Sequence, residues 1–226
     1  MTLKLGVLLS GSGSNLQAIL DRIAQGSLEA EVCLVLSNNE QAYGLTRARD
    51  ADVPWQVIKA GDFQQRREHD QALVQALQAK GVQVVLLAGY MRLVSKEFVQ
   101  AFPRGILNIH PAVLPAFKGL QAQKQAADYG VKLSGASVHF VDEYLDHGPL
   151  IIQGCLPVHQ GQDAADLADR ILQLEHRIYP QAVQWLAENR LTIAGRHVYL
   201  QDASRPGADI EQLGACLINP GLEQGF

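Results

Sequence analysis

Apolar and polar positions alternate along the chain between a short continuous run and a helical period, and the alternation repeats. Residues 5–9 form an apolar run interrupted only by Gly6. Ser10-Gly11-Ser12-Gly13-Ser14-Asn15 follows, then Leu16, Ile19, Leu20 and Ile23 at helical spacing. The pattern predicts strand, glycine-rich turn, helix. A second buried strand is expected over residues 32–36, ending in Ser37-Asn38-Asn39, with a polar helix over 45–51. Pro54 leads to a third strand over 55–58. Leu73, Val74 and Leu77 mark one face of a helix over 70–78, with Arg66-Arg67 at a solvated start, and 82–88 is the most apolar strand of the set. This βα rhythm predicts an open, mostly parallel α/β sheet with helices on both faces, a Rossmann-like arrangement.

The second half changes character. Ser95 is placed to cap a short helix carrying Phe98, Val99 and Phe102, limited by Pro103. A strand over Ile106–His110 precedes a loop, 111–120, shaped by two prolines and a glycine, and then a helix over 121–128. Alternation over 134–141 and 150–158 predicts paired, partly antiparallel strands. Asp163-Ala164-Ala165-Asp166 opens a long helix with Leu167, Ile171, Leu174, Ile178 and Trp185 on its apolar side, which Pro180 is expected to kink or split. A small hairpin is expected over 191–200. With no internal repeat or linker, residues 1–200 read as one domain. Its phosphate-binding half is 1–100 and its catalytic half 101–200, and 201–226 form a loosely packed tail.

Composition narrows the function. An apolar fraction of 47% with 19% charged residues is that of an ordinary globular protein. The net charge of -4 argues against a nucleic-acid partner, so any phosphate site has to be built locally. Cys33, Cys155 and Cys216 form neither a CxxC pair nor an even set, which points to a reducing, cytoplasmic setting. The first strand begins too early for a signal peptide, and no apolar run has the roughly 18 residues of a membrane span. Oligomeric state is not legible.

Two stretches carry candidate chemistry. Asn108 and His110 alternate on one strand and so share a face, at the carboxyl end where open α/β sheets place their sites. The bland alternative is a pair of satisfied polar groups at a strand end. The stretch running from Gly135 through His139 to Asp146, His147 and Gly148 adds a carboxylate, Asp146, on a loop able to fold back over the imidazole. Among the remaining histidines, His139 is expected to make a buried hydrogen bond, and His69, His159, His176 and His197 receive no role. His110, His139, Asp146 and His147 lack a metal-ligand spacing, and no metal is expected.

The glycine turn presents unpaired N–H groups at the positive end of a helix, where an anion fits. Leu16 stands where a dinucleotide fingerprint has its third glycine, and no acid closes the second strand. A monophosphate is therefore favoured over NAD; a serine-rich cap with no ligand is the other reading.

Ser10 to Gln17, Ala88-Gly89-Tyr90-Met91-Arg92-Leu93, Leu107-Asn108-Ile109-His110-Pro111 and residues 135–148 together resemble the phosphoribosylglycinamide formyltransferases, folate-dependent enzymes of purine biosynthesis. Glu175-His176-Arg177-Ile178-Tyr179-Pro180 extends the likeness. The resemblance implies a catalytic trio of Asn108, His110 and Asp146. It implies Gly13, Ser14 and Asn15 at the ribotide phosphate and Glu175 at the sugar or glycinamide end. Arg66, Met91, Arg92, Leu93, Val94 and Asn108 would line the site of the co-substrate 10-formyltetrahydrofolate. Gln121, Gln123 and His147 depart from the family pattern and bear on the sugar subsite and loop electrostatics.

Formyl transfer suits such a trio. The tetrahedral intermediate needs donors for its oxyanion, expected from the Asn108 amide and a protonated His110, and a proton carrier to the leaving nitrogen. Asp146 is expected to raise the His110 pKa. The partners implied are small molecules: glycinamide ribonucleotide and the formylated folate. The alternatives are hydrolysis of the same folate, which usually brings a further amino-terminal domain, and a non-catalytic phosphate-binding module.

Overall fold

The computed structural model describes residues 2–103, 105–203, 207–209 and 216–226. Strand β1 (Leu3–Leu9) is buried at every position except Lys4, as a strand covered on two faces must be. Helix α1 (Ser14–Ala24) lays Leu16 and Ile19 inward and leads to β2 (Ala30–Ser37). Helix α2 (Tyr43–Asp50) and the short, largely exposed β3 (Trp55–Val57) follow. Helix α3 (Arg66–Ala79) begins at Gln65, where the Glu68 carboxylate accepts from the Gln64 and Gln65 N–H groups at 3.2 and 3.3 Å. Strand β4 (Val84–Leu87) is fully buried, and Ser95 caps α4 (Lys96–Gln100) by accepting from the Phe98 N–H at 3.2 Å.

The chain divides into two compact units, and the division falls inside β5 (Ile106–His110), after Asn108. The first unit comprises residues up to Asn108 with Val141–Tyr144, and the second Ile109–Phe140 with the chain from Leu145. The strands of the first unit run in the order β5-β4-β1-β2-β3, all parallel where paired. The chain winds outward from β1 through β2 to β3, then returns to β1's other side at β4. Right-handed crossovers in opposite directions put α1 and α2 on one face and α3 and α4 on the other. The core of the α3 and α4 face includes Leu8, Leu36, Leu73, Leu77, Leu87, Phe98 and Ile106, each large side chain stabilising by about 1.5–3 kcal/mol.

In the second unit α5 (Ala122–Tyr129) precedes β6 (Leu133–Phe140), which pairs antiparallel with β7 (Leu150–Pro157). Helix α6 (Ala164–Ala187) packs on both strands. Asp163 caps it, its side chain accepting from the Asp166 N–H at 2.8 Å. Pro180 does not split α6; the stretch from Ile178 to Leu186 is buried at every position, and that packing outweighs the one helical hydrogen bond a proline forfeits. Strands β8 (Leu191–Ala194) and β9 (His197–Leu200) form the expected hairpin.

The tail departs from its composition. Beyond β10 (Gly207–Asp209), β11 (Cys216–Asn219) pairs antiparallel with β7, and Glu223 holds Arg190 at 2.8 Å. The loose packing expected for 201–226 does not hold for residues 216–226, which find sheet and ion-pair partners far away in sequence. No helix among the described residues is long and apolar enough to cross a membrane.

Candidate active site

In the first unit the sheet order reverses between β1 and β4, and the segments leaving the carboxyl ends of these strands make the switch point where α/β sheets bind ligands. Ser10 ties them together. Its N–H donates to the Gly89 carbonyl at 3.0 Å, its hydroxyl donates to Asn38 Oδ1 at 2.6 Å, and the Met91 N–H donates to that hydroxyl at 3.0 Å.

Gly13 caps α1 in the left-handed region, φ 68°, with no side-chain cap bond. A Cβ there would lie 2.5 Å from the Gly44 Cα, and the Gly44 N–H donates to the Gly11 carbonyl at 3.0 Å. The second glycine of the turn is thus dictated by α2 behind it as well as by backbone angle. At Gly11 nothing lies within 4 Å of an added Cβ, so this position is open to a ligand. Arg47 backs the turn: its Nε donates to the Ser12 carbonyl at 2.9 Å and its Nη1 to Gln17 Oε1 at 3.1 Å. Sequence reasoning misses Gly44 and Arg47: the predicted helix starts at residue 45, and Gly44 enters α2 only in the structure. Gly13→Ala is expected to lower Tm by several degrees, checked by thermal melts.

The other first-unit candidates occupy α3 and the segment after β4. The Arg66 Nη2 donates to the Val94 carbonyl at 2.8 Å. Met91 and Leu93, on the loop between β4 and α4, are exposed at 61% and 50%. The Val94 side chain is buried in the core, and its carbonyl accepts from Arg66 on α3. Asn108 is half-buried in β5, paired in register with Leu87.

His110 is the second residue of the second unit, and the loop after it closes on its ring. The Phe117 carbonyl accepts from Nε2 at 2.8 Å, and Asp146 Oδ2 stands 3.4 Å from Nδ1. Asp146 Oδ2 also accepts from the Gly119 N–H at 2.8 Å, and Oδ1 lies 3.7 Å from His139 Nε2. One carboxylate therefore joins the loop, the strand end and a second histidine. His139, expected from the sequence to make a buried hydrogen bond, has Nδ1 2.8 Å from the Phe140 carbonyl. Phe117 and Asp146 both adopt positive φ, 48° and 43°, a conformation costly for such residues and found where a loop is over-determined.

A buried hydroxyl fixes this loop. Ser137 Oγ donates to the Ala112 carbonyl at 2.7 Å while accepting from the Leu114 N–H at 3.0 Å and from Gln153 Nε2 at 2.8 Å. Ser137→Ala leaves the Leu114 N–H without its acceptor, and a loss of about 1–3 kcal/mol with reduced turnover is expected from denaturant melts and rate assays.

Burial pushes the His110 imidazole below the ordinary histidine range, and the Asp146 charge and the Phe117 carbonyl recover only part of that shift. Asp146 raises the His110 pKa, as expected, but desolvation of the ring outweighs the carboxylate, so the net shift is downward. For Asp146, burial acts upward, but hydrogen bonds from His139 and the Gly119 N–H, with the nearby imidazoles, hold it below the ordinary carboxylate range. The two lowered values together favour an ionised carboxylate beside a neutral ring. Glu175 is buried on α6. Among the described residues, no group of three or more His, Cys, Asp or Glu is arranged to hold a metal ion.

Residues 3–183 match the family model described as formyl transferase. The chain belongs to the formyl transferase family. It is 39% identical over 200 residues to the phosphoribosylglycinamide formyltransferase of Escherichia coli, covering 88% of this chain and 94% of that protein. The Haemophilus influenzae protein of the same name is 36% identical over 203 residues, covering 90% and 96%. Among solved structures, glycinamide ribonucleotide transformylase 1 from Symbiobacterium toebii is 50% identical with a TM-score of 0.87, covering 89% of this chain and 95% of that one. The α/β fold expected from the βα rhythm is that of the formyl transferase family, which takes a folate-derived formyl donor.

Proposed function

We propose that this protein transfers the formyl group of 10-formyltetrahydrofolate to the amine of glycinamide ribonucleotide, giving the formylated ribotide and tetrahydrofolate in purine biosynthesis. The observation that carries this reading is the buried His110 ring, held between an ionised Asp146 and the Phe117 carbonyl.

In this reading the N–H groups around Gly13, Ser14 and Asn15 hold the ribotide phosphate, and Glu175 meets its sugar or glycinamide end. Arg66, Met91, Arg92, Leu93 and the Val94 backbone receive the folate. The amine attacks the formyl carbon, a carbon–nitrogen bond forms, and the carbonyl oxygen becomes anionic. Asn108 donates its amide hydrogen to that oxygen. His110, entering neutral because burial lowers its pKa, takes the proton from the nitrogen that has become cationic. The resulting imidazolium faces Asp146, which stabilises it, and then gives the proton to the leaving folate nitrogen as the second carbon–nitrogen bond breaks. The Phe117 carbonyl accepts the Nε2 hydrogen and holds the place that a reacting nitrogen must take. For turnover Phe117 therefore turns aside and the ring hydrogen moves to Nδ1, facing Asp146, which leaves Nε2 bare to take the proton. The left-handed backbone of Phe117 makes that departure locally favourable.

Following absorbance on mixing protein with 10-formyltetrahydrofolate tests the proposal. Turnover only when glycinamide ribonucleotide is present supports it; turnover without the ribotide makes the protein a hydrolase, and no turnover with or without it removes the proposal.

A further inference from the structure

One buried carboxylate in the first unit has no part in the mechanism above. Asp70 is 3% exposed, yet it sits on α3 among apolar core residues. A buried charge is a weak source of stability, since an apolar side chain of similar volume commonly does as well or better. What Asp70 touches is specific. Its Oδ2 accepts from the Ser95 N–H at 2.6 Å. Arg66, one helical turn earlier on the same face of α3, donates from Nη2 to the Val94 carbonyl at 2.8 Å, and its Nε lies 3.9 Å from the same Asp70 oxygen. The Val94 carbonyl and the Ser95 N–H are the two polar edges of a single peptide group. Arg66 and Asp70 therefore grip that peptide from both sides.

The gripped peptide closes the segment that leaves β4. At the near end the Met91 N–H is fixed by Ser10 at 3.0 Å; at the far end the Ser95 hydroxyl caps α4. Between these anchors Met91 and Leu93 stay exposed. The clamped peptide and the Met91 N–H thus fix both ends of the backbone from which these two side chains project. We infer that Asp70 is a positioning residue for the formyl-donor subsite: with Arg66 it clamps the Val94–Ser95 peptide and so sets where Met91 and Leu93 stand. His69 completes the surroundings, with Nδ1 3.6 Å from Asp70 Oδ1 and Nε2 3.0 Å from the Ile58 carbonyl. The inference rests on reading Met91–Val94 as the folate subsite.

The test uses the full-length protein, with KM measured separately for 10-formyltetrahydrofolate and for glycinamide ribonucleotide. Asp70→Asn keeps an acceptor for Ser95 but loses the charge that draws Arg66. The expected result is a donor KM raised about tenfold, with the ribotide KM and kcat within about twofold, as loss of the charge behind one hydrogen bond and one ion pair implies. Adding Arg66→Met to Asp70→Asn is expected to cost little more than the larger single effect, because both act through one peptide. Hydrogen exchange over residues 91–95 should quicken in Asp70→Asn while exchange in β1 and β4 stays unchanged. An unchanged donor KM, equal increases in both KM values, or additive effects in the double variant would overturn the inference while leaving formyl transfer intact. A wild-type protein that binds ribotide but transfers no formyl group would instead remove the functional reading, and this inference with it.

Discussion

Alanine at His110 is expected to reduce formyl transfer by about a thousandfold or more while ribotide binding stays within about twofold. The imidazole is the proton acceptor for the attacking amine and the donor to the leaving nitrogen, and general acid–base catalysis of this kind contributes roughly 100 to 10,000-fold. Losing both directions of transfer puts the expected effect in the upper part of that range. Asn108→Ala should fall nearly as far, since removing one oxyanion donor typically costs about 100 to 1000-fold. The two losses differ in kind. The His110 variant should recover part of its rate when free imidazole is added, because a diffusible base can replace the missing ring. The Asn108 variant should not, since imidazole cannot supply the missing amide. Steady-state rates with and without imidazole, beside ribotide titrations, check both; full activity in either variant would remove that residue from the mechanism.

The second large effect is expected at Asp146, where asparagine keeps the shape and removes the charge. Its carboxylate is the chief influence holding the His110 pKa up against burial. Without it the pKa falls further, so the acid limb of the rate profile moves to lower pH. At the same time kcat falls about 100-fold or more, because the imidazolium formed during transfer loses its counter-charge. Stability follows the same signs. Both His110 and Asp146 have folded pKa values below their ordinary ones, so each contributes stability that is fully present above its unfolded value and is lost as pH falls through its folded value. For His110 that loss begins below about pH 6.5, and for Asp146 below about pH 4. Asp146→Asn abolishes the second step. Rate profiles and denaturant melts across pH check these directions, and an acid limb that stays in place would separate Asp146 from His110.

The tail shows how far composition can mislead. Residues 216–226 lack a clear period, yet Cys216–Asn219 pair with β7 and the Glu223 N–H donates to Gln181 Oε1 at 2.8 Å. These partners lie more than forty residues away in sequence, and no local pattern announces them. Pro180 is a similar case, since its local preference against a helix interior is outweighed by burial that only the folded chain supplies.

The sequence by itself determined the βα rhythm, the carboxyl-end position of Asn108 and His110, the glycine turn and the capping of α4 and α6. Each depends on residues within a turn or two of one another, or on a period that burial on one or two faces imposes. Tertiary structure alone decided that Gly13 is closed off by Gly44, that Asp146 joins His110 to His139, and that Asp70 holds the 94–95 peptide. It also decided the direction of the His110 pKa shift. Charge proximity can be guessed from a motif, but desolvation depends on everything packed around the ring, and here it is the larger influence.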